Sequence, residues 1–413
     1  MVFMHSCIAA SCLRYARYAL VIILLSSTFP SVKSAAAEAE LQCPPCPSES
    51  APVNFAYLIT VHDDRTLTDA LPLLNAVSSK NNIVLVHVDG KYPKAYYEQS
   101  ELYKVVQGCE CGARVVHGGR KCEWGTWSMN EPVIWAMDVL THEAKFKGKF
   151  DKFITLSGDS LPTLTNSAMA SLFAEHLMKY NILTSFWSET GFRPTRYNEY
   201  PKEWHKRNAY RHPIGVAYKE YETGKKVMKR VDVYFGSQWM ILNPDLVEYF
   251  AVSLRDRDSF ASALKRAYIE QKRVVTDETF FPTLVMNEER FKGTVPTAER
   301  GEGVCEGLEW LKSARYERMD EHAPSPKGVL PDKQRIKAIE GIEPRVWGPY
   351  FLGIYDLSDI KESGALFIRK VSLAVEPNLY NIFPKGSREE VENLPNISWH
   401  NEIDFVISDR PTF

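Results

Sequence analysis

The sequence predicts an α/β protein with a mostly parallel central sheet flanked by helices. Two observations carry that expectation. Apolar runs of strand length alternate with segments of helical spacing, and the strands lack the polar alternation of a sheet with one wet face. The 413 residues, 45% hydrophobic and 25% charged, are enough for one large folded core.

The elements follow in order. "NFAYLITVH" (54–62) is a first strand, "LTDALPLLNAVSS" (67–79) a helix with apolar residues at helical intervals, and "NIVLVHVDG" (82–90) a second strand ending in Asp-Gly. "ARVVHG" (113–118) is a third strand, and "SMNEPVIWAMDVLTHEAKF" (128–146) a helix opened by Ser128. "FDKFITLSGDSLP" (150–162) is a fourth strand running into a loop. "VDVYFGSQWMILNPDLVEYFAVSL" (231–254) reads as a strand, a Gly-Ser corner and a helix started by Asn243-Pro244, and "DSFASALKRAYIEQKRV" (258–274) as a further helix. Ligands of such sheets bind beyond the carboxyl ends of the strands, so Val61, His62, Asp89 and Asp159 are the first positions to inspect.

The flanks address the chain. Arg14 and Arg17 precede "ALVIILLSSTF" (19–29), then Pro30 and "SAAAEAE" (34–40), a pattern shared by cleaved signal peptides and signal anchors. Either sends the rest into the secretory lumen. There Cys43, Cys46, Cys109, Cys111, Cys122 and Cys305 can form disulfides, and Asn396-Ile-Ser can be glycosylated. The expected organisation is a targeting segment at 1–30, a proline-containing stem at 31–52, a folded domain at 53–385 and an extension at 386–413. A net charge of −2 excludes a general nucleic-acid binder, and no glycine-rich phosphate loop occurs in context. The segment 187–230, rich in Arg, Lys, Tyr and Trp, is a solvated basic surface or a groove for a polar ligand.

Chemistry centres on "RVVTDETFFPTLV" (273–285), where Asp277 and Glu278 precede a segment built for burial. Asp277 reads as the N-cap of a short helix with Glu278 in its first turn, an arrangement that aims the second acid and leaves it free for catalysis. No metal ligand set is assigned. Asp159 stands alone in "SGDSLP", and Asp256-Arg257-Asp258, the chain's D-x-D, reads as a solvated charge run between helices. Cations for an anionic leaving group are available in Arg369 and Lys370 of "SGALFIRKVS" (363–372) and in Arg345, with strand alternation leaving one of the adjacent pair toward solvent.

The ordered blocks "HVDGK" (87–91), "WGTWS" (124–128), "LSGDSLP" (156–162), "FGSQWMIL" (235–242), "TDETFFPTLV" (276–285) and "GALFIRK" (364–370) resemble the core-2/I-branching β-1,6-N-acetylglucosaminyltransferase family, which includes peptide O-xylosyltransferases and plant glucuronosyltransferases. The resemblance covers about 55–385. It implies a GT-A-like fold, a type II Golgi membrane protein or its secreted form, and inverting transfer from a UDP-sugar to a glycan or glycoprotein, with no cofactor or metal and no nucleic acid. By position it implies Glu278 as catalytic base, Lys370 with Arg369 and Arg345 at the donor diphosphate, Val61, His62 and Asp89 around the uridine, and Trp239 on the acceptor side. Ser160 stands where relatives carry an acid, and 187–230 matches them only at "WHKR" (204–207). N-acetylglucosamine is the expected sugar, with xylose and glucuronate as alternatives. A glycoside hydrolase, which needs a second carboxylate such as Asp159 or Glu189, and a non-catalytic sugar-binding protein are the rival classes.

Overall fold

A computed structural model describes residues 51–108, 113–183, 185–187, 213–220, 223–295, 315–317, 349 and 351–395. They lie within one compact unit, Cys43–Phe413. The targeting segment, most of the stem, the 188–212 stretch, Arg345, Glu189, the Asn396 sequon and every cysteine except Cys122 fall outside the described residues. Cys122 carries a free thiol. Among the described residues no helix is long and apolar enough to cross a membrane.

The chain opens as β1 (Phe55–Val61), α1 (Asp64–Val77), β2 (Ile83–Val88), α2 (Glu101–Gly108), β3 (Ala113–Gly118), α3 (Glu131–His142) and β4 (Lys152–Ser157). It continues through β5 (Ser160–Pro162), α4 (Asn166–Leu172), β6 (Ser185–Trp187), the β7 (Ile214–Lys219) and β8 (Lys226–Val231) hairpin, β9 (Tyr234–Gly236) and β10 (Ile241–Leu242). Helices α5 (Pro244–Arg255), α6 (Phe260–Glu270) and α7 (Thr276–Met286) follow, then β11 (Arg315–Glu317), α8 (Leu357–Ser363) and β12 (Phe367–Arg369).

The main sheet has the order β10-β4-β1-β2-β3, parallel except for the β10 edge. This is the expected mixed α/β, GT-A-like arrangement. Burial explains the continuous apolar strands, because residues of both parities meet a helical layer. Tyr57, Ile59 and Val61 pack with Leu73, Leu74 and Val77 of α1 and Val105 of α2. Ala56 and Leu58 pack on the other face with Met137 of α3, Phe250 of α5 and Phe280 of α7. Each such side chain contributes roughly 1.5–3 kcal/mol on burial.

Helix α1 begins three residues before the sequence pattern predicts. Asp63 accepts from Thr66 N at 2.7 Å while Thr66 Oγ1 accepts from Asp63 N at 3.0 Å, a reciprocal cap that satisfies donors a periodicity search does not see. Ser128 does not open α3. A single 3-10 turn, Trp127–Asn130, precedes it, and Thr126 caps that turn by accepting from Ser128 N. The turn after β4 requires glycine, since a Cβ at Gly158 would stand 2.3 Å from the Thr66 carbonyl oxygen of α1.

At the opposite end of β4, Lys152 is fully buried. Its Nζ donates to the carbonyls of Leu177 (2.9 Å), Met178 (2.9 Å) and Tyr180 (2.7 Å), and to Asn243 Oδ1. One ammonium thus ends the helical stretch that continues from α4. Lys152→Met, close in shape, strands those acceptors and is expected to destabilise the fold by about 3 kcal/mol or more, read as a lower denaturant midpoint.

Candidate active site

The polar side chains gather where the parallel strands end. Val61 contributes backbone only. Its side chain is 1% exposed, and its carbonyl accepts from Asp89 N at 2.8 Å, tying the ends of β1 and β2 together. Asp89 is also buried. Its Oδ1 accepts from Lys91 N at 2.8 Å and Cys122 N at 3.4 Å, and its Oδ2 lies 3.3 Å from Lys91 Nζ. His62 is half-buried with Nε2 3.5 Å from Asp63 Oδ2, and desolvation holds its pKa below the usual imidazole value.

Two residues before Asp89, His87 is buried with Nε2 lacking a hydrogen-bond partner among the described residues. His117 and Trp135 lie against it, at 6.0 and 6.1 Å between ring centroids. Burial, with a smaller contribution from His117, lowers the pKa of His87 to about 4. An unfolded histidine takes up its proton near pH 6.5, so between there and pH 4 the unfolded chain binds more protons and stability falls with pH. The full effect is about 3 kcal/mol. Asp69 and Glu278, whose values burial raises, act in the opposite sense. The expected result is therefore a difference: His87→Leu loses less stability than wild type in denaturant titrations from pH 6.5 to pH 4.

A second cluster surrounds Asp159, which is wholly buried. Its carboxylate accepts from Ser157 Oγ, from Arg369 Nε at 3.1 Å and from Arg65 Nη2 at 3.3 Å. Those arginines, with Lys370, hold its pKa far below the carboxylate range although burial alone would raise it. Arg369 arrives because β12 pairs antiparallel with β5, opposing Arg369 to Ser160. On its other side β12 runs parallel to β11, opposing Arg369 to Glu317, and Nη1 donates to Glu317 Oε1 at 2.9 Å. Alternation does not turn either member of the Arg369-Lys370 pair fully to solvent. The strand ends at Arg369 and both side chains are partly covered. Lys370 Nζ lies 5.7 Å from the Phe351 ring, which also takes the Arg65 guanidinium at 4.8 Å.

Trp239 lies within this cationic cluster. The β10–β4 register runs it toward the carboxyl end of β4, where the Arg315 and Arg369 guanidiniums stand 4.2 and 4.9 Å from its ring centroid. The indole is 9% exposed, too covered to be an open platform in this state.

The acid pair sits in the first turn of α7, yet Asp277 is not the cap. The cap is Val275, in the left-handed region at φ 52°, with no capping side chain. The "WGTWS" block and Asn130, two residues past it, supply the bonds instead: Gly125 O accepts from Val275 N at 2.8 Å, Thr126 O from Thr276 Oγ1 at 2.9 Å, and Asn130 Nδ2 donates to Thr276 Oγ1 at 2.8 Å. Trp127 meets Phe280 edge-on at 4.8 Å. Asp277 is buried, with Oδ1 lacking a hydrogen-bond partner among the described residues. Glu278 is half-buried, and burial, then Asp277 and Glu317, raise its pKa well above the ordinary glutamate value against the pull of Arg369. It is thus an acid of high proton affinity beside the cationic cluster.

Asp256 and Asp258 stand apart from this site. They shape the turn between α5 and α6, where Asp256 Oδ1 accepts from Asp258 N at 3.0 Å. Sequence reading missed Arg65, Arg315 and Glu317. Arg65 was legible as a cation in the first turn of a helix that starts at a strand's carboxyl end, whereas the three residues of β11 carry no pattern.

A profile of the core-2/I-branching enzyme family matches residues 55–300, more than half of the chain. The chain belongs to the core-2/I-branching enzyme family. A human relative, named probable β-1,3-galactosyl-O-glycosyl-glycoprotein β-1,6-N-acetylglucosaminyltransferase 7, is 22% identical over 223 residues, 52% of this chain and 46% of the relative. The aligned stretch spans about half the length of that protein. Family membership accounts for the α/β sheet and for the order of the blocks that meet at its carboxyl edge. Arg315, Glu317, Arg369 and Lys370 lie beyond the matched residues.

Proposed function

We propose that this protein is an inverting glycosyltransferase that moves a sugar, N-acetylglucosamine in the first instance, from a UDP-sugar to a hydroxyl of a glycan or glycoprotein. The observation that carries the reading is Glu278, a carboxylate of raised proton affinity fixed on a buried helix beside Arg369. Glu278 takes the proton of the acceptor hydroxyl as that oxygen attacks the anomeric carbon from the face opposite UDP. Lys370 and Arg369 offset the charge developing on the diphosphate, and His62 and Asp89 border the base and ribose at the ends of β1 and β2. Trp239 supports the guanidiniums from below and turns toward the acceptor only if they move. No metal enters this scheme. Xylose and glucuronate are the alternative sugars. The work takes place in the Golgi lumen, with the N-terminal segment as anchor or as a cleaved signal.

A hydrolase needs a second carboxyl that is protonated and ready to donate. Asp159, one candidate for that acid, is held ionised by Arg369 and Arg65 although burial alone would raise its pKa. That disfavours the hydrolase.

The test is UDP release by the purified lumenal domain over UDP-N-acetylglucosamine, UDP-xylose and UDP-glucuronate, with and without EDTA. Acceptors include a β-1,3-galactosyl-O-glycosyl-glycoprotein, the class that the human relative's name specifies. The expected result is acceptor-dependent UDP release with one sugar, undiminished by EDTA. Liberation of free sugar from glycans with no nucleotide donor rejects the proposal, and loss of activity in EDTA rejects its metal-free form.

A further inference from the structure

Glu317 has no part in the scheme above, yet its placement is specific. It is the residue of β11 directly opposed to Arg369 of β12, its Oε1 accepts from Arg369 Nη1 at 2.9 Å, and Arg315 Nη1 of its own strand stands 4.0 Å away. Arg369 Nε is taken by Ser157 and Asp159 and its face lies over Trp239, so Glu317 completes a four-sided hold on that guanidinium. We propose that Glu317 is a positioning residue for sugar transfer, fixing Arg369 and placing a carboxylate beside Glu278. The proposal rests on the reading of Glu278 as the base.

The physical argument turns on what else acts on Glu278. From α7 itself there is Asp277, from β12 Arg369, and from β11 Glu317. The polar groups that α6 and the segment after it bring toward α7 are engaged with other partners: Tyr268 Oη donates to Thr283 Oγ1 at 3.3 Å, and Arg273 Nε donates to Gln271 Oε1 at 2.9 Å. Glu317 is thus the acid from outside the helix that opposes ionisation of Glu278. It also partly cancels Arg369, which favours ionisation. A base whose proton affinity is held near the working pH transfers protons more effectively than an ordinary carboxylate. A fixed Arg369 also meets the diphosphate without reorganising.

The experiment compares wild type, Glu317→Gln, Glu317→Asp and Glu278→Gln in pH profiles of kcat/KM for UDP release, using UDP-N-acetylglucosamine or whichever UDP-sugar proves active, alongside calorimetric binding of UDP. Glu317→Gln is expected to lower kcat about ten-fold or more. It is also expected to move the acid limb down by about half a pH unit or more, because removing a neighbouring negative charge makes Glu278 easier to ionise. Glu317→Asp keeps the charge and is expected to keep the limb in place while kcat recovers only in part. An unmoved limb in Glu317→Gln, with Glu278→Gln inactive, overturns the role of Glu317 and leaves the base reading standing. Transfer surviving in Glu278→Gln overturns the base reading itself. Should Glu317→Gln not fold, Glu317→Asp decides alone: a kcat equal to wild type, or a shifted limb, overturns the proposal.

Discussion

Glu278→Gln is expected to reduce sugar transfer by about 10²–10⁴-fold while UDP binding stays within a few-fold of wild type. The amide keeps the shape and the helix position but accepts no proton, so the loss falls on kcat and not on donor affinity. Wild type carries a further signature. Transfer needs Glu278 ionised, and burial, Asp277 and Glu317 raise its pKa, so the rate falls as pH drops through that raised value. The acid limb of kcat/KM is therefore expected above the pH at which an ordinary glutamate titrates, and Glu278→Gln is expected to lack it. Full transfer by the variant, measured with the active UDP-sugar and acceptor, refutes the assignment.

Asp159→Asn is expected to produce the largest stability loss, about 3–5 kcal/mol at neutral pH, because it leaves Arg369 and Arg65 facing a neutral amide at a wholly buried position. The same change is expected to weaken UDP binding, since the Arg369 guanidinium loses the partner on Nε. The sign with pH follows from the depressed pKa: the contribution of Asp159 is complete above about pH 4, where the unfolded carboxyl is ionised, and declines as pH falls below that. Chemical denaturation at pH 7 gives the first quantity and calorimetric UDP titration the second. A stability within about 1 kcal/mol of wild type contradicts the view that this cluster is tightly coupled.

Much of the first half of the fold is legible because local pattern and burial agree. Strands β1 to β4 fall where the apolar runs stand, since a parallel sheet covered on both faces wants apolar residues at every position. Helix starts are less legible. Asp63, Thr126 and Val275 set them through hydrogen bonds to residues two or three positions on or far along the chain, which no periodicity records. Asp277 illustrates the error: an acid before an apolar run looks like a cap, but the left-handed Val275, held by the Gly125 carbonyl, caps the helix two residues earlier and leaves both acids inside its first turn. The site divides in the same way. Glu278 and Arg369 are visible as charges inside apolar segments. Glu317 is invisible because its meaning lies in a three-residue strand that acquires a partner only in three dimensions. Trp239 lies against two guanidiniums, a placement its sequence context does not reveal.

The small β5-β12-β11 sheet has a consequence for how the protein is made. Ser157 and the arginine that donates to it are 212 positions apart. At a synthesis rate of about 5–20 residues per second, β4 leaves the ribosome roughly ten to forty seconds before β12 does. Until β12 is made, Asp159 has Arg65 but not Arg369 as a counter-ion, and the Arg369–Glu317 pair does not exist. A premature stop after residue 300 keeps every residue matched by the family and lacks both β11 and β12.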